Sequence, residues 1–326
     1  MSAPKQHGAP RKVVITGGLG FIGAAVFRHI AGLECVDETV ILDAVTPAAD
    51  VRRLAPAGGA GDLPVIRGDI RSRRDVAAAL QDCDTVVHLA AQTGFGRSPA
   101  NPARLFDVNA AGTETLLQVA QEQGVRHFIH VSSGAVYGPS TEPLLETAPL
   151  KPVTPYAMSK AAAEEAVMLA GRNGLRVTIL RPSETVVGAG QNPLHPLPRL
   201  VMTALKGEHL PVAGAGNRMR ELLPSADLAA AVGLVLERPS GEAISIFNVA
   251  GGERLDERSI ARRVLRAAGR RSGLHYVRES WTGATCLLDG GHLHSLGYRQ
   301  KSSLDAELGA LCETFRTRAQ LLRASL

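Results

Sequence analysis

The chain has 326 residues, 45% of them hydrophobic and 21% charged, with a formal net charge of +5. This is enough for one large α/β domain or two smaller ones, with the composition of an ordinary soluble globular protein. The basic residues are spread along the chain with no tract interleaved with aromatics, which argues against nucleic acid and suits anionic small molecules. Cys35, Cys83, Cys286 and Cys312 lie far apart, with no CxxC pair and no histidine at ligand spacing, so a reducing compartment and no metal site are expected. The opening MSAPKQHGAPRK is polar and lacks the apolar core of a signal peptide. No apolar run approaches the length of a membrane span, and a cytoplasmic location is the expectation.

The first predicted element is a strand over Val13, Val14 and Ile15, a continuous apolar run of the kind buried on both faces of a sheet. A helix follows from Phe21, with Ile22, Val26 and Ile30 at helical spacing. Gly17, Gly20 and Gly23 occupy the turn between them. Glycine there permits a tight turn, close approach of a pyrophosphate to backbone N–H groups and close helix–strand packing, with the positive end of the helix dipole facing the phosphates. The next apolar run, TVILD, ends in Asp43, 20 residues after Gly23. An acid at that distance either accepts from both ribose hydroxyls or is a strand-end turn residue. No arginine follows in AVTPAAD to welcome a 2′-phosphate, so NAD is expected rather than NADP.

Apolar runs at 64–66, 85–89, 128–131 and 177–180 then alternate with helical stretches at 74–80, 104–123 and 155–171. This rhythm predicts an α/β fold, a doubly wound parallel sheet with helices on both faces and ligands at the carboxyl ends of its strands. The last of those helices opens on YAMSK, which places Tyr156 and Lys160 one turn apart on one face. With four tyrosines and six lysines in the chain, such a pair arises by chance only roughly 0.07 times.

Together, TGGLGFIG (16–23), RGDI (67–70), HLAAQ (88–92), NAAGT (109–113), VSSGAVYG (131–138) and YAMSK resemble the extended short-chain dehydrogenase/reductases, and among them the nucleotide-sugar epimerase/dehydratase family. The likeness runs from about residue 12 to about residue 300. It implies a Rossmann domain over 1–181, a returning segment at 226–252, and a smaller substrate-binding lobe formed mainly by 182–326. It implies Tyr156 as catalytic acid/base, Lys160 as its cationic partner, and Ser133 as the hydroxyl that bonds the reacting oxygen, with neighbouring Ser132 the residue that could be confused with it. A lone serine there would also serve as a turn cap. The types make chemical sense, since a phenol with an ordinary pKa near ~10 acts as a base near neutrality only with positive charge beside it. For the cofactor, the resemblance implies Gly17, Gly20, Phe21, Ile22, Gly23 and Asp43; Asp69 and Ile70 at the adenine; Leu89, Ala90 and Ala91 at the strand end; and Asn109, which could equally be a structural bridge. Toward the substrate it implies Gln92, Ser133, Glu184, Thr185 and Arg220, the last as a guanidinium fork for a diphosphate.

After Arg181, prolines and glycines crowd RPSETVVGAGQNPLHPLP, as expected of a loop-rich lobe over the substrate. Asp227 is expected to cap a helix beginning at Leu228, and SIFNVAGG (245–252) to return a strand to the first domain. The chain departs from the family pattern in several places. Glu184 and Thr185 stand where an asparagine is common, Trp281, Thr282 and Gly283 replace an arginine-bearing segment, and ELLPSAD replaces an aromatic one. Where sugar dehydratases carry acidic residues directly after the catalytic Ser/Thr, this chain has Gly134 and Ala135. The minimal set of Ser133, Tyr156 and Lys160 suffices for C4 epimerisation of a nucleotide-diphosphate sugar, or for a one-way reductase or dehydrogenase of a sugar or other carbonyl compound. An NAD-binding regulator is a third reading, against which the intact YAMSK speaks. A homodimer through alanine-rich helices at 110–121 and 157–170 is expected by the same analogy.

Overall fold

The structure, a computed structural model, describes residues 12–45, 64–93, 101–278 and 286–324. Trp281, Thr282 and Gly283 lie outside the described residues. Seven parallel strands form the central sheet: β1 (Lys12–Thr16), β2 (Glu38–Asp43), β3 (Val65–Arg67), β4 (Thr85–His88), β5 (His127–Val131), β7 (Arg176–Pro182) and β11 (Ile244–Val249). Their spatial order is β11-β7-β5-β4-β1-β2-β3, so the winding reverses between β1 and β4, which pair from Val13 with Thr85 to Thr16 with His88. Ligand crevices open at such a reversal, outside the carboxyl ends of the strands.

Helices α1 (Phe21–Ile30) and α7 (Ser225–Glu237) cover one face. On the other lie α2 (Arg73–Ala79), α4 (Gly112–Glu122) and α5 (Pro155–Arg172). Ile15, Ile41, Val87 and Ile129 point to the α1/α7 side, and Val14, Val40, Val86 and Phe128 to the α4/α5 side. Both faces of the strands are therefore apolar, which accounts for their continuous hydrophobic runs.

The expected single helix over 104–123 is instead α3 (Pro102–Phe106), a π-helical turn (Asp107–Ala111) and α4. Helix α5 is opened by Thr154, whose hydroxyl accepts from the Ala157 N–H at 3.1 Å, and by Pro155 in the first helical position. Such a cap contributes about 1 kcal/mol and fixes where the first turn begins.

The rest of the chain adds β8 (Thr185–Val187), β10 (Met219–Pro224) and β12 (Glu253–Asp256) as a three-stranded sheet, with β9 (Leu210–Ala213) paired to β13 (Leu274–Val277). The short strands β6 (Pro143–Leu144) and β14 (Leu287–Leu288) pair with each other. Helices α6 (Pro196–Lys206), α8 (Glu257–Ala267) and α10 (Leu304–Ala324) enclose a separate apolar cluster around Val201, Leu222, Val264 and Leu311, and α9 (Gly291–Ser295) lies beside β11. Asp227 is not a helix cap: α7 begins at Ser225, and the Asp227 carboxylate accepts from the N–H groups of Lys301 (2.9 Å) and Ser302 (3.1 Å), fastening the lead into α10. No helix among the described residues is long and apolar enough to cross a membrane.

Candidate active site

At the carboxyl end of β1 the chain turns under glycine control. Gly17 has φ +71°, and a Cβ there would stand 2.7 Å from the backbone of Ala90. A Cβ on Gly23 would reach within 2.2 Å of the Gly17 carbonyl oxygen. The turn, α1 and the end of β4 therefore pack backbone to backbone. Gly20 is the N-cap of α1 and offers no side-chain acceptor, and the first turn holds no acid, so the helix N-terminus keeps N–H groups for an anion. Phe21 and Ile22 are half-buried against the α1/α7 core.

Asp43, at the end of β2, is held over this turn by the N–H groups of Leu19 (3.0 Å) and Val45 (3.1 Å). Asp69 accepts from Arg71 (Nε at 3.0 Å, Nη2 at 2.6 Å), whose guanidinium also reaches Asp107; the Arg71 bond holds the Asp69 carboxyl below its usual range. The Ile70 side chain is core, packed beside Gly112 of α4.

Thr16, which ends β1, ties the strand ends together. Its hydroxyl accepts from the Leu89 and Ala90 N–H groups (3.3 and 3.2 Å) and bonds His88 Nδ1 at 2.7 Å. His88 Nε2 bonds the Thr113 hydroxyl at 2.8 Å, which donates to the Asn109 carbonyl at 2.6 Å. Asn109 is a bridge. Its Oδ1 accepts from the Gln92 N–H (2.7 Å), and its Nδ2 donates to the Gln92 carbonyl (3.0 Å) and to Ser159 Oγ (2.9 Å), so one side chain joins the π-turn, the β4 loop and α5. Ala91 is half-buried on that loop and Gln92 exposed.

Helix α5 sets Tyr156 in its first turn and Lys160 one turn on. The Ser133 hydroxyl favours the ionised form of the Tyr156 phenol. Ser133 Oγ accepts from the Ala135 N–H at 3.2 Å and caps the 3₁₀ turn Gly134–Tyr137. Ser132 donates to Glu164 instead. Lys160, 2% exposed, donates from Nζ to the Val131 carbonyl at 2.7 Å. Burial pushes its ammonium down to about 8 against the pull of Glu164. Burial pushes the Tyr156 phenol up to about 12, opposed by the Ser133 hydroxyl and reinforced by the charge of Glu184. The protein alone thus holds a neutral phenol, a proton donor at pH 7.

Beneath this trio lies a buried network that the sequence did not single out. Glu164 receives Arg181 through Nε (3.1 Å) and Nη2 (2.7 Å), and Arg181 Nη1 donates to the Tyr137 hydroxyl at 2.7 Å. Tyr137 donates to Asn248 on β11 at 2.8 Å. These four residues come from four separate segments, so spacing gave no signal of them. Arg220 is equally buried and pairs with Glu257 at 3.0 Å. Glu184 sits between β7 and β8 and Thr185 opens β8, opposite Leu222 of β10.

The family described as NAD dependent epimerase/dehydratase matches residues 13–250. The chain belongs to that family. Over 307 residues it is 31% identical to the trifunctional UDP-glucose 4,6-dehydratase/UDP-4-keto-6-deoxy-D-glucose 3,5-epimerase/UDP-4-keto-L-rhamnose-reductase of Arabidopsis thaliana; the match takes in 90% of this chain and 45% of that one, less than half the relative's length. The crystal structure of dTDP-glucose 4,6-dehydratase from Streptomyces venezuelae, solved with NAD, superposes with a TM-score of 0.84 at 32% identity, over 95% of this chain and 98% of that one. UDP-glucose 4-epimerase from Thermus thermophilus, also solved with NAD, gives 0.79 at 29% identity, over 94% and 99%. The protein is therefore an enzyme of the NAD-dependent epimerase/dehydratase family, with NAD as its cofactor. The residues present fit that group: a glycine turn that added Cβ atoms would fill, an uncapped helix N-terminus and a fixed acid at the end of β2.

Proposed function

We propose that the protein epimerises a nucleotide-diphosphate sugar at C4 through a transient keto-sugar. The observation that carries this reading is that Ser133, whose hydroxyl favours ionisation of the Tyr156 phenol, is followed by two places without acid groups, Gly134 and Ala135. A side chain at Gly134 would meet the Pro182 carbonyl at 3.1 Å and Leu288 at 3.2 Å, so the wall there is closed as well as neutral.

In this reading Tyr156 exchanges a proton with the sugar hydroxyl, Ser133 holds the same oxygen, and Lys160 supplies the nearby cation. Bound NAD supplies the hydride acceptor and a positive charge near the phenol, which is what a group held at about 12 needs in order to act as a base. Gly17, Gly20, Gly23 and the first turn of α1 hold the pyrophosphate, with Phe21 and Ile22 part of that turn. Asp43 takes the ribose, Asp69 and the Ile70 backbone the adenine, and Leu89, Ala90 and Ala91 border the crevice. Asn109 acts by holding the loop that carries Gln92. Arg220 meets the diphosphate while sharing its guanidinium with Glu257; Gln92, Glu184 and Thr185 border the sugar. We place the cofactor domain at 1–181 with the returning segment 226–252, and the substrate lobe mainly at 182–326. A homodimer through α4 and α5 fits the outward-facing Met158 and Leu169, 44% and 55% exposed.

The test is incubation of the purified protein, without added cofactor, with UDP-, dTDP- and GDP-hexoses, followed by proton NMR. A new C4 epimer supports the reading, and a 4-keto-6-deoxy product replaces it with dehydration. The firm hold of Tyr156 on its proton also suits one-way reduction of a ketone. Turnover only after NAD(P)H is added would select that second reading.

A further inference from the structure

Two adjacent imidazoles, His88 on β4 and His130 on β5, lie buried at the ligand end of the sheet and have no part in the proton or hydride steps. Their ring centroids are 5.2 Å apart, yet they are held differently. Neither nitrogen of His130 has a hydrogen-bond partner among the described residues, whereas both nitrogens of His88 do. His88 also sits at the winding reversal, paired with Thr16 of β1.

The bonds through His88 run in one direction, and main-chain groups at the two ends decide which. At one end the Asn109 carbonyl only accepts, so the Thr113 hydroxyl places its proton there at 2.6 Å. His88 Nε2 is then the donor to Thr113 Oγ at 2.8 Å, which leaves Nδ1 to accept the Thr16 proton at 2.7 Å. The other end gives the same answer: the Leu89 and Ala90 N–H groups only donate, and they occupy both lone pairs of Thr16 Oγ at 3.3 and 3.2 Å. An imidazolium or the other tautomer would aim a further proton at that oxygen. Burial, with the Lys160 charge nearby, pushes the His88 imidazole down to about 3, so the ring stays neutral.

The series continues beyond Asn109. Its side-chain amide donates to Ser159 Oγ at 2.9 Å, and Ser159 donates to the Tyr156 carbonyl at 2.8 Å. An unbroken line of bonds therefore joins the main chain of Leu89 and Ala90, which packs against the Gly17 turn, to the first turn of α5 and its acid/base phenol. Donors arranged head to tail polarise one another, so the line resists displacement as a unit.

We propose that His88 is a positioning residue for hydride transfer; this rests on the keto-sugar reading above. Through Thr16 it holds the floor under the cofactor, and through Thr113, Asn109 and Ser159 it holds Tyr156, so it fixes how far the sugar carbon at the phenol stands from NAD.

The experiment is a double-mutant cycle on kcat for C4 epimer formation by the NAD-loaded protein. Thr16→Val and Thr113→Val each remove one bond of His88, and each should lower kcat on the order of tenfold, with sugar KM changed less than about threefold. The double variant should also lose about tenfold, because its second cut falls on a line already broken. Thr113→Ser, which keeps the hydroxyl, should restore kcat. Losses that multiply to about 100-fold overturn the proposal and leave the C4 reading standing. So does a lowered thermal midpoint with unchanged kcat per NAD-loaded molecule, which assigns the line to the fold alone. Two readouts need no turnover. Nitrogen NMR of ¹⁵N-histidine protein should show His88 protonated on Nε2, and the Gln92 amide, held by Asn109 Oδ1 at 2.7 Å, should exchange with D₂O on the order of tenfold faster in Thr113→Val. A proton on Nδ1, or Gln92 exchange equal to the wild type, overturns the proposal. A wild type that makes no C4 epimer overturns the C4 reading, and the two NMR signals then sustain or overturn the His88 line by themselves.

Discussion

The floor of the site and its far wall are built differently. The floor, beneath the ends of β1 and β4, is made by main chain: Gly17 against Ala90, Gly23 against the Gly17 carbonyl, and Thr16 accepting from two consecutive N–H groups. The wall, at β7, β8 and β10, is made by side chains that neutralise one another: Arg220 with Glu257, Arg254 with Glu221, Ser183 with Glu221. On the wall, Glu257 Oε2 and Gln191 Oε1 are buried without a partner. Backbone contact leaves no choice of residue, whereas paired side chains can be exchanged in sets. The floor is thus constrained by shape and the wall by charge balance.

The sharpest way to break the comparison is at the junction of floor and wall. Tyr156→Phe should lower kcat on the order of 10³-fold in a steady-state assay while leaving the thermal midpoint near that of the wild type. Glu164→Gln should instead act on stability, costing about 3–5 kcal/mol in urea unfolding, because it strands the buried Arg181 guanidinium. Gly17→Ala combines a positive φ with a clash against backbone. It should cost about 1–3 kcal/mol and weaken NAD binding by more than tenfold in calorimetry.

The smallest effect concerns pH. The folded Glu184 carboxyl lies at about 7, above its ordinary 4.5, so the folded state binds the extra proton between those values. Its contribution to stability is therefore lost as pH rises through that window. Glu184→Gln should flatten this part of the curve of thermal midpoint against pH, by a small amount because water reaches the group.

The legible parts of this molecule are those whose cause is local. The strands were readable because both faces are buried, and the helix from Pro155, with Tyr156 and Lys160 one turn apart, was readable from its spacing. Of the serine pair the reading named Ser133, and the bond that sets Ser132 apart from it, to Glu164, lies 32 residues away and left no local signal. Asp227 looked like a helix cap because aspartate before an apolar run usually is one, but its partners lie more than 70 residues downstream. Arg220 was read as a guanidinium for the substrate; its neutralisation by Glu257 depends on the pairing of β10 with β12 and could not be read locally. The π-turn left no mark in the periodicity, since one extra residue per turn shifts the pattern by less than the spread of apolar positions around a helix.

That turn carries an unusual implication for how this chain tolerates length changes. Most single-residue deletions in helices spoil the helix. Removing one residue from Asp107–Ala111 would regularise it, joining α3 and α4 into one continuous rod. The repaired helix would advance everything before the deletion by about 100° around its axis, carrying the Asn109 amide away from Gln92 and Ser159. In a deletion scan this is the place where the helical signal of circular dichroism should rise as turnover falls, so the irregularity sets the phase of the active site.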